Sequence, residues 1–245
     1  MKAIVLAAGK GTRLHSEEFN LPKVLREALG KPLLGYVLSN ISFVDKKDTC
    51  IVIGYMGEKV KKYAGEEYVY AVQSEQKGTG HAVMMAKEVM ADYDGDVIIV
   101  YGDMPLFKSE TYEAICKKHE ESGAALTILT ADIKNPPAYG RIIRDEKGGI
   151  KDIVEEKDCS EEQKKITELN VGVYVAEARL MFETLAGLKN NNAQGEYYLT
   201  DLPKMLIEAG KRVESYTTYD SEEIMGVNTP EELEFCEEVL KKRAL

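Results

Sequence analysis

The sequence predicts an α/β fold in which a mostly parallel mixed sheet is flanked by helices. Over the first 135 residues, short apolar runs of strand length alternate with segments whose apolar residues recur at helical spacing. The segment Asp96–Tyr101 (DVIIVY) is apolar at nearly every position, as is typical of a central strand buried on both faces of a parallel sheet. Because parallel strands need crossover connections, this alternation predicts helices that pack on the sheet through right-handed crossovers.

Each predicted element follows from its local pattern, and after residue 135 the predicted strands become shorter and the segments between them richer in charged and turn residues. In the first part, we predict strands at 3–6, 49–54, 68–73, 96–101 and 125–131, and helices at 31–43, 58–63, 81–90 and 109–122. Shorter strands follow at 141–144, 150–155, 171–176 and 213–217, together with a helix at 199–209. We therefore predict two halves, 1–135 and 136–228, laid against each other without a flexible linker. A C-terminal helix, 229–245, begins with Thr229 as N-cap, Pro230 at the first position and Glu232 as capping-box partner.

Composition and charge narrow the classes of function. The 245 residues carry a formal net charge of −10, which argues against a nucleic-acid surface because phosphate-backbone binding requires a basic stripe. A small phosphorylated ligand is compatible with this charge, since cations cluster locally between residues 10 and 23. The four cysteines are far apart and include no Cys-x-x-Cys pair, so neither a disulfide framework nor a zinc site is expected. The sequence shows neither a signal peptide nor a membrane span, and we expect a cytoplasmic protein.

The first candidate site is the glycine-containing loop after the first strand, LAAGKGTR at residues 6–13, continued by LPK at 21–23. Such a loop can wrap backbone N–H groups around a polyphosphate while Lys10, Arg13 and Lys23 neutralise its charge. It is not a Walker A motif, and Leu14 stands where a dinucleotide fingerprint has its third glycine. The alternative is a plain strand-to-helix turn, but a turn would not need three cations. We therefore favour phosphate binding.

Two further stretches follow predicted strands. Asp103, in YGDMPL, comes directly after the most apolar strand, and it could hold Mg²⁺ or simply cap the loop. Gln73 begins QSEQKGTG, where its amide could pair with the edge of a pyrimidine and Gly78 could let a base approach the backbone. A polar loop before an ordinary helix start is the alternative for this second stretch.

Several motifs lie beside the predicted strand ends of the second half, and their carboxylate and amide side chains are what sugar hydroxyls require. They are Tyr139-Gly140-Arg141, Glu155-Glu156-Lys157-Asp158, Asn170 and Asn228. Taken one by one, these residues are explained more simply as solvated turn residues. His119 falls on the apolar side of its predicted helix, and His15 and His81 have no partner at ligand spacing, so we interpret all three histidines as structural.

Taken together, these motifs resemble those of bacterial N-acetylglucosamine-1-phosphate uridylyltransferases. They occur in that family's order from residue 1 to about 228: LAAGKGTR, LPKVL, QSEQKGTGHA, YGDMPL, YGRI, IVEEKD, NNNAQGEYYLTD and GVN. The opening motif alone is shared by sugar nucleotidyltransferases in general, whereas NNNAQGEYY and GTGHA are more specific to the uridylyltransferases. The resemblance implies a Rossmann-like nucleotide-diphospho-sugar transferase fold, with nucleotide binding mainly in 1–135 and sugar binding mainly in 136–228.

The resemblance also implies a role for each matched residue. Nucleotide contacts would come from Leu6, Ala7, Ala8, Gly9, Gly11, Thr12, Gln73, Gly78 and Thr79, of which Ala8, Gln73, Gly78 and Thr79 would meet uracil. Arg13 and Lys23 would hold the phosphates, and together with Asp103 they would be the catalytic residues. Asp103 and Asn228 would bind Mg²⁺. Sugar contacts would come from Tyr101, Gly102, Gly140, Glu155 and Asn170.

The implied reaction is attack of a phosphate oxygen of N-acetylglucosamine-1-phosphate on the α-phosphorus of UTP, with release of pyrophosphate. The nucleophile is already an anion, so the reaction needs cations and a metal rather than a histidine or carboxylate base. Two other hypotheses are open at this point. One is transfer to or from another substrate, such as glucose-1-phosphate or a different nucleotide. The other is a non-catalytic nucleotide-sugar sensor, against which the retained metal-binding residues speak.

The sequence departs from the family pattern in three places. Residues 15–20 make the segment between Arg13 and Lys23 a few residues longer than usual, which could place Lys23 differently. Val171 stands where the family more often has threonine. The family's C-terminal left-handed β-helix, which acetylates glucosamine-1-phosphate and forms the trimer, does not follow, as in either a stand-alone or a truncated uridylyltransferase. We therefore expect no acetyltransferase activity, and a monomer or weak oligomer rather than the β-helix trimer.

Overall fold

The computed structural model describes residues 1–244, whose eleven strands include nine in a single sheet. These nine are β1 Lys2–Ala7, β4 Thr49–Ile53, β5 Val69–Val72, β6 Asp96–Tyr101, β7 Leu126–Asp132, β8 Arg141–Arg144, β9 Ile150–Val154, β10 Glu168–Glu177 and β11 Val213–Thr218. The other two, β2 Glu27–Ala28 and β3 Lys31–Pro32, form a short antiparallel ribbon of their own.

The main order of the sheet is β11-β7-β10-β6-β1-β4-β5. Only β10 runs against its neighbours β6 and β7, and the remaining strands in this order are parallel, as predicted. The hairpin of β8 and β9 joins the sheet through β10. Strand β10 belongs to the second predicted half but lies between two strands of the first, so the two halves share one sheet. Their division into nucleotide and sugar halves stays a prediction.

Helices cover both faces of the sheet. One face carries α1 Leu33–Asn40, α2 Gly57–Ala64 and α4 Ser109–Ser122, and the other carries α3 Thr79–Met85, α5 Ala178–Leu185 and α6 Leu202–Glu208. Both faces of the sheet are buried under these helices. Along β1 the side chains alternate between the two faces: Ala3 and Val5 pack on the first, and Ile4 and Leu6 on the second. Within residues 1–244, none of the helices is long and apolar enough to cross a membrane.

Most predicted elements are confirmed, with differences of one to three residues at strand ends. The helix predicted at 31–43 starts later because residues 31–32 pair with β2, and it ends at Asn40. The helix predicted at 81–90 changes after Met85 into a 3₁₀ turn, Glu88–Met90. Because the tighter turn rotates later side chains, Val89 is exposed although we predicted it in the apolar face. Helix α5 was not predicted, and the helix predicted at 199–209 begins as a 3₁₀ turn before α6.

The last helix, α7 Pro230–Arg243, has the predicted capping box. The Thr229 hydroxyl accepts from the Glu232 N–H at 3.3 Å, and the Glu232 carboxylate accepts from the Thr229 N–H at 3.1 Å. The predicted range was 229–245, of which residue 245 lies outside the described residues. Cys236 and Val239 of α7 share a buried cluster with Leu14, so the helix packs beside the end of the glycine-containing loop.

Replacing Thr229 with alanine is expected to lower the free energy of unfolding by about 1 kcal/mol, since a helix N-terminus loses its side-chain acceptor. For a chain of this length, that corresponds to a melting temperature lower by about 2–4 °C. Urea unfolding followed by circular dichroism measures the loss. Ser109→Ala is the matched control, because α4 begins without a side-chain cap. Equal losses in the two variants would contradict the importance of the capping box.

Candidate active site

The carboxyl ends of the parallel strands β1, β5 and β6 meet at one edge of the sheet, where two cavities adjoin. The β1 cavity, about 240 Å³, is lined by six of the predicted nucleotide contacts: Leu6, Ala8, Gly9, Gln73, Gly78 and Thr79. The β10 cavity, about 220 Å³, is lined by four of the predicted sugar contacts: Tyr101, Gly140, Glu155 and Asn170. Tyr101 and Asp103 line both cavities, so the two spaces share a wall. This is the location expected for ligands of parallel sheets.

The remaining predicted contacts lie outside these linings. Ala7, Gly11, Thr12 and Arg13 are absent from the β1 lining, and Gly102 is absent from the β10 lining. Gly102 is buried, and its N–H donates to the Leu6 carbonyl at 2.9 Å, which ties β6 to β1. Several lining residues were not predicted as contacts: Val24, Gln76, Ala82 and Glu196 in the β1 cavity, and Met104, Ala138, Tyr139, Val171, Gly172 and Gly226 in the β10 cavity.

The glycine-containing loop is folded tightly against Lys23. Gly11 has a φ of 76°, and a Cβ added there would lie 2.7 Å from the Lys23 Cβ, so only glycine fits. The longer segment after Arg13 folds back on the loop, with the Ser16 N–H donating to the Gly11 carbonyl at 3.3 Å and the Leu21 N–H donating to the Ser16 carbonyl at 3.2 Å. The extra residues therefore form a compact turn that delivers Lys23 to the cavity wall.

Lys23 lies at the centre of a cluster of four polar side chains. Its ammonium contacts the Asp103 carboxylate and donates to Asn228 Oδ1 at 2.8 Å. Arg13 donates to the same Asn228 oxygen at 3.3 Å. The side chains of Lys23 and Asp103 are only 13% and 19% exposed, so little water screens their attraction. The four catalytic and metal-binding residues predicted from the sequence are thus brought together.

Lys10 is the exception among the predicted cations. Its ammonium lies 5.8 Å from the centroid of the Tyr55 ring, and Lys10 lines neither cavity. In this arrangement Lys10 contributes a cation–π contact rather than charge at the cavity wall.

Backbone contacts place Asn228 next to Asp103. The Val227 N–H donates to the Asp103 carbonyl at 3.0 Å. The Asn228 N–H donates to the Glu232 carboxylate at 2.6 Å, so the capping residue of α7 also holds this loop. The sequence predicted Glu232 as a cap but gave no sign of this second contact, which depends on the path of the loop.

Gln73 is held at the end of β5 with one amide atom committed to the protein. It is 3% exposed, and its Nε2 donates to the Gly78 carbonyl at 3.0 Å and pairs with His81 Nδ1 at 3.0 Å. His81 was interpreted as structural, but its partner is a predicted nucleotide contact. Gly78 itself has a φ of 106°, and a Cβ there would lie 2.6 Å from the Tyr197 carbonyl oxygen. The glycine is therefore required by packing against residue 197 as well as by its place in the cavity wall.

A bulge in β10 shapes the β10 cavity. The register of β10 against β7 shifts between Asn170 and Tyr174, which turns the Asn170 side chain toward the cavity. Asn170 Nδ2 donates to the Tyr174 hydroxyl at 2.7 Å, and the Asn170 N–H donates to the Gly140 carbonyl at 2.8 Å. The backbone around Gly140 is further held by Arg141, a buried guanidinium that donates to the carbonyls of Pro137, Tyr139 and Lys164. These contacts fix the cavity wall before any ligand binds.

Glu155 is a partly buried carboxylate in the wall of the β10 cavity, which Asp103 also lines. Burial raises the pKa of Glu155 above its ordinary value, while the hydrogen bond from the Thr200 hydroxyl, at 2.9 Å, acts in the opposite direction. Nearby Asp158, Asp201 and Glu196 raise this pKa further. The ionised form is therefore disfavoured in the folded protein relative to the unfolded chain.

Glu155→Gln is consequently expected to increase the free energy of unfolding above neutral pH, because the cost of ionising a partly buried carboxyl disappears. The raised pKa means that the wild-type protein loses stability as pH rises from 4.5 through the folded-state pKa. The gain should therefore be present at about pH 8 and vanish below about pH 4, where both side chains are neutral. Urea unfolding at both pH values tests this, with Glu146→Gln, on an exposed turn, as the control. A gain that does not depend on pH would refute the explanation.

Comparison with known proteins shows which family the chain belongs to. The family model described as nucleotidyl transferase matches residues 2–222. The chain belongs to the nucleotidyl transferase family. Its curated relatives include two proteins named "Bifunctional protein GlmU". The one from Clostridioides difficile (strain 630) is 43% identical over 242 residues, and the one from Brevibacillus brevis is 42% identical over 243.

Each alignment covers 99% of this nucleotidyl transferase and 52% of the relative, so the chain spans about half the length of the curated relatives it matches. A crystal structure of UDP-glucose pyrophosphorylase complexed with UDP-glucose superposes with a TM-score of 0.78 at 16% identity, covering 99% of this chain and 98% of the other. At that identity, the likeness confirms the predicted fold alone.

Proposed function

We propose that this nucleotidyl transferase transfers UMP from UTP to N-acetylglucosamine-1-phosphate, giving UDP-N-acetylglucosamine and pyrophosphate. The observation that carries the proposal is the cluster of Lys23, Asp103, Asn228 and Arg13 where the two cavities adjoin. A reaction between two phosphorylated substrates needs two spaces that meet at a charged centre. Similarity to the GlmU relatives over 99% of the chain supports the choice of this pair of substrates.

In this proposal the β1 cavity takes UTP. Uracil would lie against Ala8, Gln73 and Gly78, with the phosphates running along the glycine-containing loop toward Lys23 and Arg13. The attacking sugar phosphate is already an anion, so the protein needs no general base. Lys23 and Arg13 would counter the negative charge that collects on the α-phosphate and on the departing pyrophosphate.

Asp103 and Asn228 would hold a divalent cation, which we propose to be Mg²⁺. Their oxygens fit one, since both already converge on a single positive atom, the Lys23 ammonium. Residues 1–244 contain no cluster of three or more His, Cys, Asp or Glu side chains that could bind a metal by themselves. A single carboxylate with an amide suits Mg²⁺, which takes its other ligands from water and phosphate. When bound, the metal would withdraw charge from the phosphate oxygens.

The β10 cavity would take the amino sugar. The Thr200 hydroxyl aligns Glu155 and leaves its second carboxylate oxygen for a sugar hydroxyl or N–H group. Asn170 is aligned by Tyr174, and its Oδ1 already accepts a long hydrogen bond from the Gly172 N–H at 3.4 Å, so a sugar group would share that oxygen. Losing a hydrogen bond to a charged group costs about 1.5–3 kcal/mol. Glu155→Gln should therefore raise the KM for the sugar phosphate about tenfold or more while leaving the KM for UTP little changed.

A grid of nucleotides and sugar phosphates, assayed by pyrophosphate release, tests the proposal directly. We expect UTP with N-acetylglucosamine-1-phosphate to be the best pair. Another preferred pair, for instance with glucose-1-phosphate, would retain the chemistry and refute the substrate assignment. Tight binding of UDP-N-acetylglucosamine with no turnover of any pair would instead support the nucleotide-sugar sensor.

A cytoplasmic location belongs to the same proposal, and it is supported by four cysteines that are all free thiols. A monomeric or weakly associated state is likewise proposed for this chain.

A further inference from the structure

We propose that His81 and the Gly78 carbonyl together fix the orientation of the Gln73 amide, and that the site thereby selects uracil over cytosine. The inference rests on the proposed function, since it concerns the base that the β1 cavity accepts. It assigns to His81, which lines neither cavity, a positioning role that acts through its neighbour.

The orientation of the amide follows from what its neighbours can donate and accept. The Gly78 carbonyl, 3.0 Å away, only accepts, so the amide atom that faces it must be the NH₂ group of Gln73. The second proton of that group points to His81 Nδ1, also at 3.0 Å. Both amide protons are thereby used within the protein. In residues 1–244, no hydrogen bond to Gln73 Oε1 is found, and Gln73 lines the β1 cavity. The side chain therefore presents an acceptor to the base.

An acceptor at this point distinguishes the two pyrimidines. Uracil carries a proton on N3 and can donate it to Gln73 Oε1. Cytosine N3 carries a lone pair instead, so two acceptors would face each other and no hydrogen bond would form. A flipped amide would present its NH₂ group and reverse the preference. A site that hydrogen-bonds one partner rejects an analogue lacking the matching group by a large factor, because its own buried polar atom is left unpaired.

The imidazole keeps this orientation only while Nδ1 carries no proton. Burial lowers the pKa of His81, and the nearby Lys77 ammonium lowers it further, while Glu75 acts in the opposite direction. The ring of Tyr197 lies on another side, with centroids 6.3 Å apart. Around neutral pH the uncharged imidazole is therefore favoured, and in the tautomer that carries its proton on Nε2 the Nδ1 atom accepts from Gln73.

The test measures Kd for UTP and for CTP by calorimetry without sugar phosphate, in the wild-type protein and in three variants. His81→Leu and His81→Phe lack an acceptor, so the ratio of the two Kd values should fall at least tenfold. Asn Oδ1 can take the place of imidazole Nδ1, so His81→Asn should keep the ratio within about threefold. Thermal melts show which variants are folded. Because leucine and phenylalanine differ in shape, the test can still be made if one of the two variants does not fold.

The outcomes separate this inference from the proposed function. If both acceptor-free variants weaken UTP and CTP equally, His81 is only structural and the inference fails, even though the wild-type protein prefers UTP. A ratio that falls as far in His81→Asn as in His81→Leu would also overturn it. If the wild-type protein itself does not prefer UTP, the uracil assignment of the proposed function fails, and this inference fails with it.

Discussion

Replacing Asp103 with asparagine is expected to lower turnover by about 10²–10³-fold, the usual effect of removing one preorganised charged group from an active site. Asparagine has nearly the same shape and keeps an acceptor for Lys23, but it lacks the negative charge that would hold a divalent cation. The fold should survive, because the backbone carbonyl of residue 103 still accepts from the Val227 N–H. The loss should therefore fall on kcat and not on the amount of folded protein.

Pyrophosphate release at saturating substrates, together with a thermal melt of the same sample, measures this effect. Asp94→Asn is the matched control: Asp94 also contacts a cationic side chain, Arg179, but at an exposed position. Exposed ion pairs contribute little, so this variant should retain wild-type activity. Unchanged magnesium-dependent turnover in Asp103→Asn would remove the carboxylate from the mechanism.

Lys23→Met is expected to have an effect of similar size, about 10²–10³-fold, because a cation that contacts both Asp103 and Asn228 is removed. The Lys23 charge would counter charge that develops during the reaction, so kcat should fall more than the KM for UTP rises. Some stability should also be lost. Truncating one partner of a largely buried ion pair leaves the other charge without its counter-ion.

Initial rates over a range of UTP concentrations separate kcat from KM in this variant. Lys46→Met is the control, since Lys46 pairs with Glu67 at an exposed site outside both cavities. A change of less than threefold in Lys23→Met would show that the compact turn at residues 15–20 delivers the lysine for packing alone. A large rise in KM with unchanged kcat would assign Lys23 to UTP binding rather than to the chemical step.

Local patterns predicted the elements of this fold better than the contacts between them. The apolar run at residues 96–101 and the capping box at Thr229 are properties of a few adjacent residues, and both are confirmed. The reversed direction of β10 is not visible in its own apolar run, because a buried strand has the same composition in either direction. Helix α5 was missed because its eight residues follow β10 without a break.

The candidate site divides in the same way. Motifs that stand at strand ends, such as Asp103 and Gln73, could be predicted to meet, because parallel strands place their carboxyl ends at one edge of the sheet. Contacts such as those of His81 with Gln73 or Glu232 with Asn228 depend on the direction in which each side chain leaves a loop. No composition or spacing encodes that direction. The roles of the site residues themselves stay predictions until the variants are measured.

The hydrogen bond from the Asn228 N–H to Glu232 links the assembly of the site to the local stability of α7. When the first turn of α7 opens, Glu232 releases Asn228, and the loop that carries its side chain loses an anchor. The arrangement of Asp103 and Asn228, which we propose to hold the cation, should therefore be less populated in molecules in which that turn is open. Amide hydrogen exchange in α7 would measure how often the turn opens. Conditions that fray this helix should reduce activity well before the sheet begins to unfold.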